Sequence, residues 1–148
     1  MEKTKLGISV GLMGAITYFV CLFGGYVGAI IVVGYILLAE KNEWLRKTGV
    51  KAAVLTVVFS LLPALINLLP NVLGVIDGIL DIFGGSFAII ISTINPILSV
   101  IILALSVVET ILFVILGLSA LSQGSMSIPV VDDIVKKNME DTAAEKAE

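Results

Sequence analysis

The sequence has no histidine and a single cysteine, and only 14% of its 148 residues are charged. Without histidine, the chain lacks the commonest acid–base group and metal ligand that works near neutral pH. A lone Cys21 excludes an internal disulfide and any cysteine-cluster metal site. No catalytic triad, phosphate-binding loop or basic stripe is found either. We therefore predict no enzymatic activity, no cofactor, no metal and no nucleic-acid partner.

Apolar residues, in contrast, are abundant. They make up 58% of the chain, and the mean hydropathy is +1.12. Soluble domains contain about 45–50% apolar residues, and a domain this small has too much surface for its volume to hide such an excess inside. The bilayer is thus the expected solvent. The composition predicts an all-α integral membrane helical bundle.

The first apolar run extends from Leu6 to Ala39 without any charge, which is too long for one ordinary crossing of about 20 residues. Glycine is permissive in turns, so Gly24-Gly25 predicts a hairpin point. This gives spans at about 6–23 and 26–44. The second span ends among charges beside Trp44 and Arg46, which we interpret as interface anchors.

A third span is predicted at about 50–69, with Pro63 inside it. From Pro70 onwards, polar residues recur at three- and four-residue steps, which is typical of an amphipathic helix lying in the membrane interface. We place this interfacial helix at about 70–83, and its predicted polar face is formed by Asn71, Asp77 and Asp81.

The second apolar run, from Phe87 to Leu121, is interrupted by Asn95-Pro96. Because a residue before proline is disfavoured in helical geometry, the last span is predicted at about 96–118. Residues 87–94 then form a re-entrant or interfacial piece. Residues 1–130 thus constitute one transmembrane domain, with about four transmembrane helices, and residues 131–148 form a polar cytoplasmic tail.

The positive charges indicate the orientation. With four spans, the N-terminus, the 40–51 loop and the tail share one side of the membrane, and the 70–95 connection on the other side has no Lys or Arg. The positive-inside rule then places both ends in the cytoplasm, in a bacterial inner membrane. That side holds all nine basic residues: Lys3, Lys5, Lys41, Arg46, Lys47, Lys51, Lys136, Lys137 and Lys146.

Glu109 is the one ionisable residue well inside a predicted span. A charged side chain there costs about 2.5–3.5 kcal/mol even on the insertion scale. It could serve as a proton or cation site. The alternative is a protonated carboxyl that hydrogen-bonds Ser106, or Thr56 and Ser60 across a helix contact. One acid with no second acid, histidine or basic partner would make a poor proton relay.

Two stretches resemble a known family: Tyr26–Arg46 with the following Lys47–Ala53, and Ala120–Val131. They are similar to small bacterial four-helix membrane proteins related to a chloroplast inner-envelope import component, the Tic-twenty-like group. Trp44, Arg46, Gly124 and Pro129 match that family's pattern. Where the family often has a His-Ala step, this chain has Thr48-Gly49, so a role of that histidine is not implied. The resemblance implies four spans and no particular activity.

Three functional hypotheses follow. The first is a non-catalytic structural, accessory or protein-interaction component of the membrane, whose partners are the lipid bilayer and other membrane proteins or further copies of itself. The second is a small channel or transporter subunit that uses Glu109 as an intramembrane polar site. The third, a toxin-immunity or stress-associated membrane protein, is neither supported nor excluded by any residue.

Overall fold

The computed structural model describes residues 3–124, 131–138 and 140. Three long helices follow one another, α1 (Val10–Ala39), α2 (Glu43–Ile82) and α3 (Ala88–Leu121). A short helix, α4, covers residues 131–138. The predicted all-α helical fold is confirmed, and by length and composition alone each of the three long helices, α1 being counted as one, could cross a membrane.

α1 is a hairpin of two helical arms, 10–24 and 26–39. Gly25 has φ 53° and ψ −139° and breaks the helix between them. The left-handed φ is one that glycine adopts without the Cβ penalty of other residues. The chain turns back at this break. The residues before and after α1 therefore come close together, and the backbone N–H of Lys5 donates to the side chain of Glu40 at 2.9 Å. This confirms the predicted turn at Gly24-Gly25.

α2 differs from the prediction, since it continues through Pro70 as one helix of 40 residues. The separate interfacial helix at 70–83 is therefore wrong: its residues form the last turns of α2. A proline removes one backbone hydrogen bond and kinks a helix, but in apolar surroundings the remaining bonds hold both sides together. α2 ends where Gly84 takes φ 78° and Gly85 donates to the carbonyl of Leu80.

α3 begins at Ala88, earlier than the predicted start at 96, and Pro96 lies inside it. The re-entrant or interfacial piece at 87–94 is therefore also wrong, because these residues belong almost entirely to the first turns of α3. The start is fixed by Ser86, whose hydroxyl accepts a hydrogen bond from the backbone N–H of Ala88 at 3.1 Å.

The described chain divides into two units. Unit 1 contains Met1–Val57 and Thr110–Glu148, and unit 2 contains Val58–Glu109. The core of unit 1 has Ile36, Leu45 and Phe113 fully buried, and the ring of Phe113 meets that of Tyr18 edge-on at 6.1 Å. Unit 2 is the hairpin formed by the second part of α2 and the first part of α3, and none of its residues is buried.

Candidate functional site

A polar cluster in unit 1 closes the α1 hairpin. The carboxylate of Glu40 is buried and accepts hydrogen bonds from the backbone N–H of Lys5 at 2.9 Å and the hydroxyl of Tyr35 at 3.2 Å. The backbone N–H of Glu40 in turn donates to the carbonyl of Ile36. A buried carboxylate is stable only when its oxygens are satisfied. The cluster therefore has a structural role at the two ends of α1.

Trp44 and Arg46, the predicted interface anchors, lie in the first turn of α2. The side-chain oxygen of Asn42 caps this helix by accepting from the N–H of Leu45 at 2.9 Å. The ring of Trp44 packs so closely on Gly14 that a Cβ there would lie 2.9 Å from it. Arg46 is half-buried, and its Nε has no hydrogen-bond partner among the described residues. Their location at a membrane interface stays a prediction.

Within unit 1, an ion pair connects α4 to α2. The Lys51 ammonium lies 2.6 Å from a carboxylate oxygen of Asp132, and their side chains are 11% and 38% exposed. Val131 and Val135 are buried beside it in the same helix. Sequence reasoning missed this pair, because the partners are 81 positions apart and no pattern in the sequence connects them.

Glu109 lies in unit 2 and is half-buried. Its carboxyl makes no hydrogen bond or ion pair with any described residue, so the expected bond to Ser106, Thr56 or Ser60 is not formed. The hydroxyl of Thr56 donates to the carbonyl of Ala52 at 2.9 Å. Glu109 is therefore a solitary carboxyl on an otherwise uncharged stretch of helix.

The predicted polar residues at 71–81 all lie on the last turns of α2. Asp77 is half-buried and holds the turn of unit 2, since its carboxylate accepts from the backbone N–H of Phe87 and from the Ser86 hydroxyl. Asn71 and Asp81 are exposed. Asp77 thus has a capping role at the start of α3 that its spacing from Asp81 did not reveal.

The sequence-predicted site residues divide between the two units: Trp44 and Arg46 lie in unit 1, and Asn71, Asp77, Asp81 and Glu109 lie in unit 2. Among the described residues, no group of three or more His, Cys, Asp or Glu side chains could hold a metal ion. Unit 1 also has an apolar groove of about 240 Å³ between the second arm of α1 and the start of α2. Its lining includes Tyr26, Ile30 and Thr56. Such a groove suits an apolar chain better than a polar substrate.

No family model, no curated protein and no solved structure matches this chain. The resemblance to the Tic-twenty-like group therefore stays a hypothesis.

Proposed function

We propose that this chain is a multi-pass protein of a bacterial inner membrane, with both ends in the cytoplasm and a structural or protein-interaction role without catalysis. One observation carries the orientation. No Lys or Arg occurs between Lys51 and Lys136, a region that contains the whole of unit 2. Basic residues concentrate on the cytoplasmic side of membrane proteins, so the unit 2 turn is expected on the outer side.

The proposal includes four crossings. α2 and α3 are each longer than the hydrocarbon core of about 30 Å. The arms of α1 are shorter, at about 22 and 21 Å from a rise of 1.5 Å per residue. A turn such as Gly24-Gly25 is not tolerated in contact with lipid chains. The bilayer is therefore expected to thin around α1, as it does around short helices, so that this turn reaches the outer surface.

Single cysteines labelled with a membrane-impermeant maleimide test this topology. In a Cys21→Ser background, Phe23→Cys and Ser86→Cys should react from the outside, and the control Asn42→Cys only after the cytoplasmic side is exposed. Outside labelling of Asn42→Cys would overturn the orientation. If Ser86→Cys reacts while Phe23→Cys reacts from neither side, α1 re-enters the membrane and only α2 and α3 cross it.

The non-catalytic role is supported by the chemistry of the exposed surface. Unit 2 exposes large apolar side chains along both helices, for example Leu65 at 64% and Ile89 at 83%. Surfaces of this kind bind lipid chains and other transmembrane helices. Purification in mild detergent followed by identification of co-eluting proteins tests the role. A preparation that contains this chain alone, in every detergent and in native lipid particles, would contradict binding to other membrane proteins.

A channel or transporter subunit is the second candidate, and Glu109 favours it. Intramembrane carboxyls without partners are rare and often mark ion or proton paths. Glu109→Gln and Glu109→Leu separate the two candidates in reconstituted vesicles. A proton-coupled transporter would lose proton flux in both variants while remaining folded. In the non-catalytic protein, neither the wild type nor either variant carries flux above that of protein-free vesicles.

A further inference from the structure

The two helices of unit 2 meet along a regular seam. Within 61–82 and 88–109, half-buried positions are separated by three or four residues, and all the remaining positions are exposed. This spacing is that of a helix contact stripe. The seam consists of Pro63, Ile66, Pro70, Leu73, Asp77 and Leu80 in α2, and of Ile91, Ile94, Leu98, Ile102, Leu105 and Glu109 in α3.

The neighbours of the seam differ on its two sides. In α2, the residue directly before each seam position is Leu, Val or Ile at all six places. The residue directly after each α2 seam position is small or polar at all six places. In α3, the residue after a seam position is polar at five of the six places, the exception being Leu103. These exposed residues form what we call the amide face, in which the main members are Asn67, Asn71, Gly74, Gly78, Asn95 and Ser99.

Both helices contribute to the same side of the hairpin. Each residue is rotated about 100° around the helix axis from the one before it. Viewed from one end of the hairpin, this rotation is anticlockwise in one helix and clockwise in the other, because the chains are antiparallel. The two helices also face each other from opposite directions, so the residues that follow seam positions in α2 and in α3 lie on the same side of the hairpin. The opposite side is almost entirely apolar and suits lipid.

In the membrane location proposed above, the amide face lies within the hydrocarbon core, where water is absent. From the end of α2 at Ile82, Asn71 is about 16 Å away and Asn67 about 22 Å, and Asn95 is about 10 Å from the start of α3. A hydrocarbon core of about 30 Å contains all three. Their side-chain amides make no hydrogen bond with any described residue. Amides in lipid require partners, and within the part of the chain that the structure describes Asn67, Asn71 and Asn95 are exposed.

We propose that the amide face of unit 2 binds the same face of a second copy of this chain within the membrane. A side-chain amide has both donors and an acceptor, so the face is complementary to itself, as a two-fold interface requires. Around Gly74 and Gly78, spaced as in close-packing helix pairs, a Cβ would meet nothing within 4 Å. The central part of the face has no charge, which favours a protein partner over an ion path.

The inference rests on the membrane location proposed above. It is tested by diluting the labelled protein into increasing amounts of phosphatidylethanolamine and phosphatidylglycerol vesicles. Fluorescence energy transfer between labelled copies should show self-association. The double variant Asn71→Leu/Asn95→Leu should weaken it at least tenfold, since one interhelical polar bond contributes a factor of about 5–30. The control Val72→Leu/Ile97→Leu, on the opposite side, should associate like the wild type.

Cross-linking provides a second measurement that does not depend on the fold of the leucine variants. In a Cys21→Ser background, Asn95→Cys should be joined between copies by a short bis-maleimide, and Ile97→Cys should not. A wild type that resists alkaline extraction from membranes but stays monomeric overturns this inference alone. Cross-linking at Ile97→Cys in place of Asn95→Cys overturns it too. Release by alkali would instead overturn the proposed membrane location.

Discussion

Unit 1 and unit 2 are both helical and rich in apolar residues, but they pack in different ways. In unit 1, parts of three long helices and α4 surround a core in which Phe113 and Leu45 are fully buried. In unit 2, two helices meet along one seam, and Leu103 remains 69% exposed. A two-helix hairpin has no inner space in which a side chain could be enclosed. The apolar side chains of unit 1 are therefore buried within the unit, whereas those of unit 2 must be covered by lipid or by another protein.

This difference predicts where the chain is sensitive to substitution. Large-to-small changes are costly where they leave a cavity, and lipid fills the space left at a lipid-facing position. Trp44, the only tryptophan, lies in unit 1. Its fluorescence therefore reports on unit 1, and amide hydrogen exchange resolves unit 2. A single free energy of unfolding need not describe both units. The two probes therefore measure the stability of each unit separately in the same sample.

The largest expected effect is that of Phe113→Ala. Its ring is 0% exposed and contacts Tyr18, so the change should lower the free energy of unfolding by about 3–5 kcal/mol. The control Leu103→Ala in unit 2 should change it by no more than about 0.5 kcal/mol. Trp44 fluorescence during titration with a denaturing detergent measures the first, and hydrogen exchange the second. Equal losses would mean that unit 2 has a core of its own.

Gly11→Ala should have the next largest effect. An added Cβ would lie 2.5 Å from the carbonyl oxygen of Leu121, and both backbones would have to separate. Overpacking of this kind costs about 1–3 kcal/mol. The control is Gly34→Ala, also in α1, where a Cβ meets nothing within 4 Å and should stabilise the helix by about 0.5–1 kcal/mol. The same detergent titration checks both, and similar losses for the two variants would contradict the close contact.

The smallest effect is expected at the Lys51–Asp132 pair. Asp132→Asn leaves a mostly buried ammonium without its counter-charge, but Asp132 is 38% exposed, so water compensates in part. We expect a loss of about 1 kcal/mol, smaller at high salt. Asp133→Asn, an exposed neighbour, should change nothing. Protease sensitivity of the tail, measured at low and high salt, checks both, and equal sensitivity of the two variants would show that the pair does not hold α4.

Part of this architecture is readable from the sequence. The class follows from composition, and the turn of α1 follows from Gly24-Gly25, because one glycine at a left-handed φ is enough to reverse a helix. The breaks assigned to Pro70 and to Asn95-Pro96 did not occur. Proline weakens a helix by about 3 kcal/mol, a local penalty that long apolar flanks overcome. Sequence alone does not reveal that balance.

The candidate positions were predictable to different degrees. Glu109 is evident because a lone acid in an apolar run is conspicuous, but only the coordinates show that none of the described residues is its partner. The amide face was hidden, because the sequence predicts a separate interfacial helix at about 70–83. Once α2 is one helix, Asn71 and Asn67 share a side with Asn95 of α3. Pairing between distant elements is a property that local periodicity does not contain.

If α1 crosses the membrane as the two arms proposed above, their short length has a consequence for biosynthesis. The first arm has about 15 residues, fewer than the roughly 20 that span a hydrocarbon core. It is therefore expected to wait at the mouth of the translocation channel until the second arm has been synthesised. The two arms would then enter the bilayer together, already folded back at Gly25. On this view, the glycine determines the order of events during synthesis as well as the path of the finished chain.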